Sequence, residues 1–229
     1  MSPAGHGCAS IIVACRHRSC NAVTLVHSDG IEAMKWRWLL VLVFGYAAWN
    51  AWQSRPVTRG PGVLAAAPPQ QNELAAPLPA LERGGYRIAP LQSFSLEARV
   101  LASERYRFGR EADLSPIDLA LGWGAMSDSA VLADFDITQS GRFYYWHVQH
   151  FPIPRQEIET HSANMHMIAA TPAVERALKS VRVGQIVKLT GYLVEVRAAD
   201  GWTWRSSLTR EDTGAGACEL VWVTEFDAR

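Results

Sequence analysis

The chain has 229 residues, of which 48% are apolar and 19% are charged, so it can bury a real core and is unlike the highly charged chains that stay disordered. Its formal net charge is +0, but the residues before Tyr86 carry seven Lys or Arg against four Asp or Glu, whereas the remainder carries 15 against 18. A slightly acidic domain lacks the basic surface of a nucleic-acid-binding protein, so a nucleic acid is an unfavoured partner.

The first 33 residues show neither an apolar period nor a pattern typical of the start of a domain. Cys8, Cys15 and Cys20 lie seven and five residues apart, without the close cysteine pairs that hold structural zinc. Met34 is therefore a candidate initiator, and we interpret residues 1–33 as a non-native N-terminal extension.

Residues 34–53 predict a transmembrane signal-anchor. Lys35 and Arg37 precede an uncharged, largely apolar run from Trp38 to Trp52, which is the layout of a signal or signal-anchor sequence. Tryptophans at both ends suit the headgroup level of a membrane. We expect residues 34–52 to cross a bacterial inner membrane once, with the N-terminus in the cytoplasm and the following domain in the periplasm. A signal peptide cleaved near residues 47–51 or 65–67 is the alternative.

Residues 54–85 contain six prolines and many alanines without an apolar period, which is typical of an extended, semi-rigid linker. This composition predicts a spacer between the anchor and a soluble domain that comprises residues 86–229.

The soluble domain opens on a strand signal, because Phe94, Leu96 and Ala98 alternate with polar residues. Similar signals occur at residues 141–148, 186–196, 201–209 and 217–224. Helix starts are predicted at Ser115, within residues 127–129 and at Thr171. The predicted fold is α+β: a small, mostly antiparallel β-barrel or sheet with two or three short helices, preceded by one transmembrane helix.

The last third of the chain resembles an OB-type barrel. A predicted strand at residues 187–196 carries Gly191 in its middle, and Trp202-Thr-Trp-Arg and a turn at residues 212–214 lead into a further strand at residues 219–222. A glycine in mid-strand suits a sharply coiled strand, in which a missing Cβ relieves crowding. Small barrels of other topologies fit the same pattern.

Two longer runs carry a second resemblance. LGWGAMSDSAVL at residues 121–132 and HSANMHM at residues 161–167 are similar to those of an uncharacterised group of proteobacterial membrane-anchored proteins. The resemblance covers most of residues 86–229 and implies a bacterial, anchored protein. It brings no activity with it.

Four histidines within twenty residues raise the hypothesis of a metal-dependent hydrolase: His147, His150, His161 and His166. On a strand, however, His147 and His150 would point to opposite faces, and so would His161 and His166. Neither Ser162 nor Cys218 has a base at a motif spacing, so no catalytic residue is identified and no cofactor is expected.

Aromatic residues are the preferred candidates for a binding site. Tyr144 and Trp146 share one face of a predicted strand, as do Trp202 and Trp204. We therefore expect a membrane-tethered extracytoplasmic binding or scaffold domain of the bacterial cell envelope, whose partner is a protein or an envelope ligand. The hydrolase is the alternative.

Overall fold

The computed structural model describes residues 29–209 and 217–229, and the chain divides into two compact units, residues 1–50 and 51–229. Most of the predicted extension, residues 1–28, therefore lies outside the described residues. Helix α1 (Asp29–Gln53) covers the predicted anchor, and its large apolar side chains between Trp36 and Trp52 are exposed. None of the described helices combines the length and the hydropathy needed to cross a membrane.

The second unit consists of strands and short helices. Its strands are β1 (Gln70–Glu73), β2 (Leu81–Arg83), β3 (Tyr86–Arg105), β4 (Ile117–Gly122), β5 (Phe135–Ser140), β6 (Phe143–Val148), β7 (Ser162–Ala169), β8 (Ile186–Arg197), β9 (Thr203–Arg205) and β10 (Glu219–Ala228). Its helices are α2 (Arg110–Leu114), the 3-10 helix Gly124–Ser127, α3 (Ser129–Leu132), α4 (Arg155–Thr160) and α5 (Pro172–Lys179).

Five strands pair in a closed ring. β3 pairs with β4, β4 with β7, β7 with β10 and β10 with β8, and β8 returns to β3. Only the β7–β10 pairing is parallel. β1 and β2 add to β3, and β9 adds to β8. An α+β fold with a mostly antiparallel sheet and short helices is thus confirmed.

Alternating side chains of the ring strands fill its interior. Residues such as Leu96, Leu119, Met165, Leu189 and Val221 are almost completely buried in one apolar cluster. Helix α5 adds Val174 and Leu178 to this cluster. It begins where the sequence predicts, because the Thr171 side chain accepts a hydrogen bond from the Val174 amide and proline occupies the first turn.

One predicted helix start, at Ser115, differs from the structure, whereas the start predicted within residues 127–129 is confirmed. Ser115 lies at the end of α2, and the residues after it form β4 instead of a helix. All six residues of β4 are buried, since both faces of the strand are covered, so no period of two marks it in the sequence. Asp128 caps α3 by accepting from the Ala130 amide, while Ser127 is used elsewhere.

The segment that was predicted to be a spacer is hydrogen-bonded to the rest of the second unit. The Val57 amide donates to the Val183 carbonyl at 2.8 Å, and the amides of Leu64 and Ala65 both donate to Ser127 Oγ at 3.0 Å. β1 and β2 also lie within residues 54–85. The predicted boundary at Tyr86 therefore falls inside a compact unit, because backbone groups between the prolines find partners on it.

Strands β5 and β6 form a separate hairpin that packs on the outside of the ring. Their inward residues Ile137, Tyr144 and Trp146 cover a cluster that contains Ala120 and Met126. The turn consists of Gly141 and Arg142, both with positive φ (59° and 74°), which matches the twist of a two-residue hairpin.

Candidate functional site

A cavity of about 340 Å³ lies beside the hairpin. One wall is formed by the four consecutive β6 residues from Phe143 to Trp146, and Trp123 and α4 contribute further surface. The floor carries polar groups from the start of β7 and from the segment before β10: Ser162, Asn164, Cys218 and Glu219. Aromatic walls with a few polar groups are typical of ligand pockets.

Two hydroxyl groups form a directed pair at the floor. Ser162 Oγ donates to the Ile158 carbonyl oxygen at 2.7 Å and lies 2.6 Å from the Tyr144 hydroxyl. Since the single Ser162 proton is directed to Ile158, Tyr144 donates to Ser162. Burial raises the pKa of the Tyr144 hydroxyl, and the Ser162 hydrogen bond opposes this shift. Tyr144 therefore stays neutral at physiological pH, and its hydroxyl makes this corner of the cavity polar.

Asn164 fixes the hairpin over the floor. Its Nδ2 donates to the Arg142 carbonyl at 2.8 Å, and its Oδ1 accepts from Gln139 at 2.5 Å. The Cys218 thiol lies 3.8 Å from Asn164 Nδ2 and 3.9 Å from the Arg142 carbonyl oxygen. These amide and carbonyl neighbours are not bases, so they do not activate the thiol as a nucleophile.

The rim carries both signs of charge. Arg155 and Glu159, one turn apart on α4, are 2.8 Å apart, and the Arg155 side chain is largely exposed. The Arg155 guanidinium also lies 5.8 Å from the centre of the Trp146 ring. An exposed pair of this kind adds little stability, so its main effect is to leave the mouth of the cavity without a strong charge preference.

A buried charge cluster lies next to the cavity. Asp118 is completely buried; its Oδ1 accepts from Arg142 Nη1 at 2.8 Å, and its Oδ2 lies 2.9 Å from His166 Nδ1, without hydrogen-bond alignment. Asp118 and His166 are direct neighbours in the β4–β7 register. The Arg142 guanidinium lies 3.8 Å from the centre of the Tyr106 ring. Arg142 thus connects this cluster to the cavity, where its carbonyl accepts from Asn164.

The two predicted aromatic pairs have different positions. Tyr144 and Trp146 line the cavity. Trp204 instead packs against His166, with ring centres 4.9 Å apart, and Trp202 packs against Trp204 at 6.1 Å. Both of these tryptophans are half-buried, and Trp204 covers the buried charge cluster. The structure therefore places only the first pair at the candidate site.

The four histidines are not brought together. His147 and His150 are exposed, His161 Nδ1 donates to the Glu157 carbonyl at 2.9 Å, and His166 is buried beside Asp118. Within residues 29–209 and 217–229, no group of three or more His, Cys, Asp or Glu side chains is arranged to hold a metal ion. The four histidines on which the hydrolase alternative depends thus do not share one site among the described residues.

Sequence reasoning missed the roles of Asn164, Asp118 and Arg142, which meet only through the fold. A partial signal was the Gly141-Arg142 turn between two strand patterns. No family model matches this chain, and neither does any curated protein or solved structure.

Proposed function

We propose that this protein is a ligand-binding protein of the bacterial cell envelope, and that the cavity between β6 and β7 is its binding site. The observation that carries the proposal is the combination of aromatic walls with a preorganised polar floor, in which Tyr144, Ser162 and Asn164 are held by hydrogen bonds of 2.5 to 2.8 Å. The volume of about 340 Å³ is within the usual range for ligand pockets.

The strand order supports an OB-type barrel as the finer description of the fold. The ring runs β3, β4, β7, β10, β8, with β10 parallel to β7 and a helix between β7 and β8. OB folds commonly bind ligands on the outer face of their second and third strands, which here are β4 and β7. Ser162 and Asn164 lie on that face, beneath the hairpin.

We also propose that α1 attaches the protein to the inner membrane, with the second unit in the periplasm. The support is the exposure of consecutive apolar side chains along the helix, including Leu39, Val41 and Phe44. Such a helix requires an apolar environment to cover it, and a lipid bilayer supplies one.

Ligand-observed NMR with a library of small fragments tests the binding site. The full chain in detergent micelles is expected to bind fragments that compete with one another for one site. Trp146→Ala should weaken them at least about tenfold, because an aromatic anchor at a hot spot contributes about 2 kcal/mol or more.

Trp202→Ala is the matched control, because it also removes a half-buried tryptophan but leaves the cavity lining unchanged. It should keep fragment affinity within about twofold, provided that both variants melt cooperatively. If no fragment binds, or if both variants lose affinity equally while folded, the cavity is not the binding site.

A further inference from the structure

The cavity follows the edge of a strand. Consecutive residues of a β-strand point to opposite faces, so a cavity that touches Phe143, Tyr144, Tyr145 and Trp146 in a row must lie along the strand's side. Among the described residues, β5 is the only strand that pairs with β6. The cavity therefore borders the outer edge of β6.

The hairpin register determines which backbone groups face the cavity. With a two-residue turn, Ser140 and Phe143 exchange backbone hydrogen bonds, and so do Thr138 and Tyr145 two residues further on. The amides and carbonyls of Tyr144 and Trp146 point away from β5. Among the described residues, no backbone or side-chain group bonds to them. The edge thus offers an alternating row of donors and acceptors.

β6 lacks the features that protect exposed strand edges. Its sequence, Phe-Tyr-Tyr-Trp-His-Val, has no lysine, no proline and no bulge. Phe143 and Tyr145 are also exposed on its outer face, at 37% and 54%. An unprotected, aromatic edge of this kind is a template for another strand.

The floor of the cavity, below this edge, is the outer face of the start of β7. Among the described residues, pairing of β7 with β10 begins at Met165 and Glu219, and Cys218 lies beside Asn164 just before it. The paired charges of Arg155 and Glu159 at the rim suit a neutral segment.

We propose, building on the proposed function, that the ligand of this cavity is an extended, uncharged peptide segment of a partner protein that adds to the edge of β6. Its backbone pairs with Tyr144 and Trp146, and its alternate apolar side chains pack against the aromatic wall. The hydrogen bonds of Asn164 to the Arg142 carbonyl and to Gln139 hold the hairpin in place before the peptide arrives.

Backbone hydrogen exchange provides a test with an internal control. The probe is a linear heptapeptide selected from a random phage library against the full chain in micelles, and the protein carries ¹⁵N-labelled tyrosine and tryptophan. Saturating peptide should slow exchange of the Tyr144 and Trp146 amides at least about tenfold. The Tyr145 amide, already bonded to Thr138, should exchange slowly with and without peptide.

N-methylation of the peptide tests the same pairing independently of protein variants. Every second peptide amide would face β6 and donate to it. Methyl groups on this set of amides should abolish binding, whereas methyl groups on the amides between them should be tolerated better. Equal effects of the two sets, unchanged exchange at Tyr144 and Trp146, or failure to select any peptide would each overturn strand addition. A concentration-dependent dimer with these amides protected in the absence of peptide would also overturn it, in favour of a second copy.

The fragment experiment separates this inference from the proposed function. Fragments that bind in a Trp146-dependent way without any peptide binding would leave the cavity as a ligand site and reject strand addition. Absence of both kinds of binding would reject both proposals.

Discussion

Arg142 joins an unusual backbone conformation to a buried charge. Its φ of 74° lies in the left-handed region, where a residue with a side chain is strained by about 1 to 3 kcal/mol. The same residue supplies the guanidinium that contacts the completely buried Asp118 carboxylate. A buried carboxylate without a cation is costly, so the ion pair explains why arginine is found where glycine would fit the turn better.

Arg142→Gly should therefore destabilise the protein, although it relieves the turn. Loss of the buried partner costs about 3 to 5 kcal/mol and the relaxed turn returns about 1 to 3, so we expect a net loss of about 2 kcal/mol in urea unfolding. Arg155→Ala breaks an exposed arginine–carboxylate pair and should cost less than about 1 kcal/mol. Equal losses in the two variants would show that Asp118 does not depend on Arg142.

Tyr144 should make stability sensitive to alkaline pH. Burial raises the pKa of its hydroxyl above the ordinary value of 10.0, so the folded protein keeps a proton that the unfolded chain releases. The stability from this group is fully present below the unfolded pKa and is lost as pH rises toward the folded pKa.

Melting temperatures measured from pH 8 to pH 11 test this dependence. Tyr144→Phe should reduce the alkaline decline, whereas Tyr145→Phe, which alters an exposed ring, should leave it unchanged. An unaltered decline in Tyr144→Phe would contradict the assignment.

Predictions about single residues succeeded where they depended only on the alternation of side chains along one strand. Alternation placed Tyr144 and Trp146 on one face, and the structure packs both against the same apolar cluster beneath the hairpin. Alternation also argued against a common site for His147 and His150. It could not show that Trp204 covers His166, or that Arg142 reaches Asp118 across 24 positions of sequence, because those contacts depend on how separate strands pack.

At the scale of elements, Ser127 fastens the segment that was predicted to be a spacer. Its hydroxyl donates to the Gly124 carbonyl at 2.7 Å and accepts from the amides of Leu64 and Ala65. Ser127 thus bonds to backbone groups of its own helix and of a segment that includes Ala65, 62 positions earlier in the chain. From the sequence, Ser127 was placed only within a predicted helix start, because local patterns do not reveal a partner segment so far away in the chain.

Ser127→Ala should loosen this segment. Two backbone amides lose their acceptor in a site where Ser127 is completely buried, so we expect a loss of about 2 kcal/mol and faster limited proteolysis near residues 57–65. Ser180→Ala, which removes an exposed hydroxyl, should change stability by less than about 0.5 kcal/mol. Unchanged proteolysis in Ser127→Ala would show that other contacts hold the segment.

The sequence pattern predicted some strands and missed others, among them β5, although its residues alternate between half-buried and exposed. β3, β6, β8 and β10 all coincide with strand signals in the sequence. β4 and β7 are buried along almost their whole length, and without alternation they gave no signal. Since these two strands bear the floor of the cavity and Asp118, the site was only half predictable.

At the scale of the whole molecule, attachment to the inner membrane can be tested directly. If residues 34–52 cross the membrane, the protein should remain in the pellet after carbonate extraction. A reporter enzyme that is active only outside the cytoplasm should work when it is fused after Arg229. A soluble form that begins near residue 50 or 68 would show that the segment is a cleaved signal instead.

The closure of the ring has a consequence for how the chain acquires its structure. β3 pairs with β8 over a distance of 108 positions, from Ile88 to Val196, and β7 needs β10 on its other side. Contacts so far apart in sequence make folding slow, because loop entropy is lost before the pairing compensates for it. Until β8 and β10 have been synthesised, the sheet of β3, β4 and β7 must expose its apolar inner face. We therefore expect nascent chains stalled before residue 186 to need a chaperone, whereas the completed chain does not.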